Sequence, residues 1–253
     1  MSKSVKGAAS FSKNMAVLKA IADAGKPLSV PELVESVAMP RPTVYRFIAA
    51  LEAEQLIEQT VSGGWQLSLG LLNLASKVWQ GNDIRQAARP FLDKLRDQTG
   101  ETVHLAIRSG NELTYIEKVE SRESVKMTST IGARVPFHSS SVGKAYLMAM
   151  DNDEREKVLW EISYPPITSH SVTSREQLEK QLDTLRQAGY VMEREENEEG
   201  VACYGEAILN SAGKPVAAIS VSIPLYRLKP DHHIYTAPLA KVCQEISLRL
   251  PPC

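Results

Sequence analysis

Between Ser29 and Leu51 the sequence leaves the backbone few choices. Ser29-Val30-Pro31-Glu32 reads as a capping box, in which the serine hydroxyl accepts from the Glu32 amide and the Glu32 carboxylate reaches back to Ser29. Pro31 falls in the first turn, where a missing N–H costs little. The short helix this starts carries Leu33, Val34 and Val37 and stops at Ala38-Met39-Pro40. A second helix begins near Pro42, with Val44, Phe47, Ile48 and Leu51 at the i, i+3, i+4, i+7 spacing of one buried face. Upstream, Ser12 opens a helix with Met15, Leu18, Ile21 and Ala22 on one side, ended by Gly25-Lys26-Pro27. Downstream, Ile57–Thr60 and Trp65–Leu67 flank Val61-Ser62-Gly63-Gly64 as a hairpin. The pattern predicts a winged helix-turn-helix over residues 1–67, preceded by a polar arm of about ten residues.

The face of the third helix opposite its apolar stripe centres on Arg46, with Tyr45, Ala49 and Ala50 beside it and Arg41 and Thr43 at its start. Small, polar and basic, it suits a helix entering the major groove of double-stranded DNA. A guanidinium at Arg46 can fork onto guanine O6 and N7. Arg41, Thr43 and Tyr45 can reach phosphates or base edges, and the small tip Ser62-Gly63 can approach the backbone. A helical arginine outside such a motif is more often only solvated or paired, here with Glu52. The motif reverses that preference.

Residues 68–81 are apolar around much of a helix, and such a helix must be covered. Either it packs on its own domain or, as expected for paired DNA-binding domains, it serves as a linker meeting its twin in a homodimer. Residues 82–253 form the third part, with helices expected at Asp83–Gln98 (broken or bent at Pro90), 140–149, 151–160, 174–187 and 231–250. Strands are expected at 102–108, 113–119, 125–130, 202–209 and 215–223. Runs of strands and helices in this order predict an α+β domain built on an antiparallel sheet.

Charge alone would not have pointed to DNA: residues 1–80 hold eight basic against six acidic side chains, and the remainder 21 against 24. Hydrophobic residues at 43% and charged ones at 23% are ordinary for a globular protein, and no apolar run reaches the roughly 18–20 residues of a membrane span. A polar N-terminus without a secretory signal points to the cytoplasm. Cys203, Cys243 and Cys253 and the five histidines lack metal-ligand spacing, so neither metal nor cofactor is expected.

Four segments together resemble the IclR family of transcription regulators. They are Arg41–Phe47, Ile131–Ala145, Glu195–Cys203 and Val216–Ser222, in the family's order and at its distances. The resemblance implies a GAF-like effector domain, a homodimer or dimer of dimers, and control of small-molecule catabolism by repression or activation. It also implies pocket contacts at Ser141, Val142, Glu193, Cys203, Ser220 and Ser222, with His138 adjacent. Two departures stand out: Arg41-Pro42 where the family often has serine or lysine, and an acid, Glu206, in a strand that is commonly apolar. Glu206 either lines the pocket and alters ligand preference or points to solvent.

The residues give independent reasons for an anionic effector. Ser139-Ser140-Ser141-Val142-Gly143 stands at a helix start, whose free amides and positive dipole end favour a carboxylate. Ser220 and Ser222, two apart, share one face of a strand. Against this, serines before a helix are usually plain caps, and a buried cysteine is usually core. The family likeness narrows the effector to a sugar acid, keto acid or aromatic acid. The acidic run 193–199 could serve acid/base chemistry or a metal, but a charge run is most often a solvated loop, and the resemblance puts it at the pocket edge. A second reading is an enzyme with Cys203 as nucleophile and His138 as base, which no nucleophile elbow or glycine-rich loop supports.

Overall fold

The computed structural model describes residues 8–80, 83–124 and 127–250. The chain divides into two compact units, Met1–Asn82 and Asp83–Cys253. No helix among the described residues is long and apolar enough to cross a membrane.

In the first unit α1 (Ala9–Asp23), α2 (Val30–Val37) and α3 (Arg41–Ala53) pack around Val17, Ile21, Leu33, Val44, Phe47, Ile48 and Leu51. The capping box forms as the sequence predicts. The Ser29 amide donates to Glu32 Oε2 at 2.8 Å, and Glu32 N–H turns to Ser29 Oγ. Ala38 closes α2 in the left-handed region at φ 49°, which fixes the tight turn into α3. The wing pairs β1 (Ile57–Gln59) with β2 (Trp65–Leu67), and Leu28 bridges to Trp65 as a third rung. Next, α4 (Gly70–Gln80) sets Leu71 against this core and leaves Leu72 and Leu74 exposed, as is Leu69 in the turn before it.

The second unit is a six-stranded antiparallel sheet. It is built from β3 (Thr102–Ser109), β4 (Glu112–Val119), β5 (Arg134–Val135), β6 (Val191–Arg194), β7 (Val201–Leu209) and β8 (Pro215–Pro224), in the order β5-β4-β3-β8-β7-β6. One face carries α5 (Asp83–Thr99) and α9 (His233–Ser247) on Val103, Leu105, Tyr204, Ile219, Val221 and Ile223. The other carries α6 (Ser141–Ala149), α7 (Asn152–Glu161) and α8 (Arg175–Ala188), packed with Ala106, Val135, Phe137 and Ala218. Strand alternation thus sends successive residues of β3, β7 and β8 into two different cores. Each fully buried aliphatic side chain stabilises the unit by about 1.5–3 kcal/mol.

Three expectations are corrected. Residues 125 and 126 of the expected strand lie outside the described residues. Met127–Thr130 is not a strand, because the Met127 and Ser129 carbonyls accept from the Lys118 ammonium at 2.8 and 2.7 Å instead of from a neighbouring backbone. Pairing with β4 passes instead to Arg134–Val135. The acidic run is not wholly a solvated loop: Glu193 sits inside β6, and Glu196 is also buried. Helix α5 runs through Pro90 without a break in its assignment.

Contact between α6 and the sheet depends on two missing side chains. A Cβ on Gly205 would lie 2.3 Å from the Ser141 carbonyl oxygen, and one on Gly143 would lie 2.5 Å from Phe137 Cα. Gly205→Ala must therefore push the start of α6 off β7. We expect about 1–3 kcal/mol of destabilisation, as for other overpacked cores, read as a fall of several degrees in the melting temperature of the second unit. An unchanged melting temperature would show that α6 is free to shift.

Candidate functional site

On the DNA side, α3 presents Arg41, Tyr45 and Arg46 to solvent and Thr43 partly so, while Val44, Phe47, Ile48 and Leu51 hold the helix to its core. Arg41 lies over the Tyr45 ring at 5.7 Å and reaches its hydroxyl at 3.4 Å, so the two side chains brace one another. The Arg46 guanidinium lies 5.5 Å from the Phe47 ring centroid. Ser62 and Gly63 are exposed at the wing tip, with Gly63 at φ 85° and Ser62 Oγ 3.0 Å from Thr60 Oγ1. All six sequence-predicted DNA residues therefore lie on α3 or at the wing tip.

In the second unit, the α6 face of the sheet is polar where the opposite face is apolar. Antiparallel register brings Glu193, Cys203 and Ser222 into one cross-strand row, and Gly205, Ser220, His104 and Lys118 into the next. The start of α6 rests on these rows through Ser141 and Gly205. Ser141, Val142, Lys144, Glu193, His104, Ser220 and Ser222 are each at most 4% exposed, so the site is closed. Ser140 is the plain cap: its hydroxyl accepts from Gly143 N–H at 3.0 Å and donates to the Pro136 carbonyl at 2.6 Å. Met127–Thr130 runs past the rows as a strap. It is held by Lys118, by Ser129 Oγ at 2.7 Å from His104 Nε2, and by Thr128 donating to Glu198 at 3.1 Å.

The electrostatics follow from burial. Lys144 Nζ meets Glu196 Oε1 at 2.5 Å, and Gln181 donates to the same oxygen at 2.7 Å. Burial lowers the Lys144 pKa, with the Glu196 charge opposing. Burial pushes Glu193 up to about 7, against a hydrogen bond from Cys203, the Lys144 charge and the Glu196 amide. Burial and the Glu193 charge raise the Cys203 thiol well above its ordinary value, and its Sγ lies 3.3 Å from Ser222 Oγ. The thiol is therefore protonated, the reverse of an activated nucleophile.

His138 does not join Cys203. It is buried against Tyr164 with Nε2 donating to the Pro165 carbonyl at 3.0 Å, so it braces that loop. Glu206 neither lines the polar rows nor faces solvent freely. It pairs with Ile219, one residue out of phase with Cys203 and Gly205, and is partly buried, which raises its pKa. Among the described residues, no group of three His, Cys, Asp or Glu is placed to hold a metal.

Sequence reasoning missed His104, Tyr115 and Lys144. The Tyr115 ring stacks on His104 with centroids 4.6 Å apart. The one available signal was Thr102 and His104 alternating with Val103 and Leu105, a strand with one polar face.

A winged helix-turn-helix followed by an α+β domain is the organisation of a transcription regulator. Residues 10–60 match the IclR helix-turn-helix domain, and residues 76–248 match the bacterial transcriptional regulator IclR C-terminal domain. The chain is 31% identical over 247 residues to the HTH-type transcriptional repressor AllR of Escherichia coli strain K12, covering 97% of this chain and 91% of that one. The crystal structure of the Thermotoga maritima IclR superposes with a TM-score of 0.76 at 29% identity, covering 95% of this chain and 98% of the other. An IclR homolog from Microbacterium hydrocarbonoxydans, complexed with 4-hydroxybenzoate, shares the fold at a TM-score of 0.74 and 23% identity, covering 95% and 96%. The chain belongs to the IclR family: it is a DNA-binding transcription regulator, and the enzyme reading falls.

Glu193 gives the site a pH signature. Its folded pKa near 7 stands above the ordinary 4.5, so its contribution to stability is complete below the unfolded value and is lost as pH rises through about 7. Between pH 5 and 8 the melting temperature of Glu193→Gln should fall less than that of the unsubstituted protein. Parallel curves would place an ionised Glu193 in the fold throughout.

Proposed function

We propose that this protein is a repressor of a catabolic operon whose operator affinity is set by a small carboxylate bound between the start of α6 and the polar rows of the sheet. The observation that carries the reading is Glu193, Cys203, Ser220 and Ser222 gathered on one sheet face beneath a helix start. The Ser141 and Val142 amides belong to that first turn, where the positive helix end favours an anion. Ser220 and Ser222 supply hydroxyls from below. Buried Lys144 balances Glu196 at the same end. The repressor name of the AllR relative supports the direction of control. The 4-hydroxybenzoate complex of the Microbacterium homolog shows that an acid is bound by a protein of this fold.

On DNA, Arg46 reads a base edge from the major groove. Arg41, Thr43 and Tyr45 fix the register of α3, and Ser62-Gly63 meets the backbone from the wing. Leu69, Leu72 and Leu74 give α4 and the turn before it an uncovered apolar surface, which a second copy covers in a homodimer. Effector binding then biases the arrangement of two DNA-binding domains by its unequal affinity for the arrangements.

Two experiments test this. An operator selected from random duplexes by the unsubstituted protein should lose roughly 5–150-fold in affinity with Arg46→Ala, from the roughly 1–3 kcal/mol of a bidentate base contact. Non-specific binding should stay close to unchanged; equal loss on all sequences would reduce Arg46 to a phosphate contact. A thermal-shift titration of the full chain with small carboxylates should show saturable stabilisation by at least one, reaching about 2.7 kcal/mol at a hundred times its Kd. Stabilisation should vanish in Ser220→Ala/Ser222→Ala, and a shift from neutral compounds alone would overturn the carboxylate reading.

A further inference from the structure

His104 occupies the middle of the polar face and is hydrogen-bonded through both ring nitrogens. Nε2 lies 2.7 Å from Ser129 Oγ on the strap, while Nδ1 lies 3.4 Å from Ser220 Oγ and 3.3 Å from Ser222 Oγ. The ring is 2% exposed and stacked on Tyr115. Burial, helped by the Lys118 charge beside it, lowers its pKa to about 3, so the imidazole is neutral and has one N–H to place. The contacts admit one arrangement that satisfies all three serines: the Ser129 hydroxyl donates to Nε2, and the Nδ1–H then faces the oxygens of Ser220 and Ser222.

We propose that His104 determines effector specificity: its Nδ1–H occupies one acceptor side of Ser220 and Ser222, turning both hydroxyl protons toward the ligand. The inference rests on the effector site argued above and narrows what that site takes. Two hydroxyl donors side by side match a group with acceptors alone, a carboxylate. A primary amide presents its own N–H protons to one of them and is rejected. His104 does this without carrying charge. The positive potential comes from the helix start, so charge and hydrogen-bond polarity are selected by different groups.

Asparagine and glutamine separate the two ring nitrogens. His104→Asn places an amide N–H near the position of Nδ1 and keeps the hold on the serines while losing the strap. His104→Gln reaches toward Ser129 and leaves the serines free to rotate. Full-length protein is titrated with three acid and amide pairs: pyruvate and pyruvamide, lactate and lactamide, 4-hydroxybenzoate and 4-hydroxybenzamide. For the acid that binds, we expect a preference over its amide of at least tenfold in the unsubstituted protein and in His104→Asn, and one several-fold smaller in His104→Gln, where the helix start still favours the charge. An unchanged preference in His104→Gln overturns the inference.

A measurement on the unsubstituted protein guards against misfolded variants. Imidazole 15N shifts, with His104 assigned by its loss in His104→Asn, should show a protonated Nδ1 and a bare Nε2 from pH 5.5 to 8. Lys118, Tyr115, Cys203, Glu193 and Glu198 are the ionisable groups around this face that the titration must accommodate. A bare Nδ1, or an imidazolium, overturns the inference whether or not any acid binds. A protonated Nδ1 with none of the acids bound upholds the orienting role and sinks the carboxylate reading instead.

Discussion

The second unit is organised by how closely α6 approaches the sheet. Ordinary helix-on-sheet packing leaves a layer of side chains between the two. Here Gly143 lets the helix meet Phe137, and Gly205 lets the Ser141 carbonyl sit where a Cβ would be. That approach has two consequences. It closes the apolar core of α6, α7 and α8 over Ala106 and Ala218, small residues that leave room. It also brings the amides of the first helical turn over a sheet face that is polar at Ser220, Ser222 and Cys203. A larger residue at position 205 would separate the two halves of the site before altering any group in it.

A sheet packed on both faces has little tolerance for polar residues, because each buried hydroxyl or carboxyl must find a partner. Here the polar residues are partnered mainly by one another. Cys203 lies against Ser222, Ser220 and Ser222 against His104, His104 against Ser129, and the Glu196 amide against Glu193. Such a network is stable only while every member keeps its partner. The Ser129 segment is tied down by side chains, Lys118 and Glu198, instead of by a strand ladder.

How much of this was legible depended on sequence distance. The helix-turn-helix, its capping box and its wing are local, and every signal for them lies within some fifty residues. Most strands of the second unit are legible from alternation as well. Two features were not legible from pattern. The strand that holds Glu193, Val191–Arg194, is only four residues long and its alternation is masked by the acids that follow it, so Glu193 was named through family likeness alone. His104 pairs with Ser220, a separation of 116 residues, and nothing in either segment announces the pairing. The strap failed differently: its residues have strand propensity, but the neighbouring backbone is β5, and a lysine ammonium takes the carbonyls instead. Ser220 and Ser222 were proposed for the effector through family likeness and their two-residue spacing; the histidine beneath them has neither signal.

One irregularity ties the polar face to the opposite side of the sheet. The register of β3 against β4 shifts between Leu105 and Ala106, so Ile116 is the extra residue of a bulge. Tyr115 and Lys118 consequently share a face although three positions apart, and Glu117 points the other way. There it is 3% exposed and receives two cations of α5, Arg85 at 2.9 Å and Arg89 at 2.8 Å. A buried carboxylate that lost these partners would be left uncompensated, a penalty of several kcal/mol, so the attachment resists local loosening. One peptide bond therefore separates the residue that fastens the strap from the residue that anchors α5, the first helix after the boundary between the two units. Neighbouring residues of β4 thus hold the strap on one face of the sheet and α5 on the other.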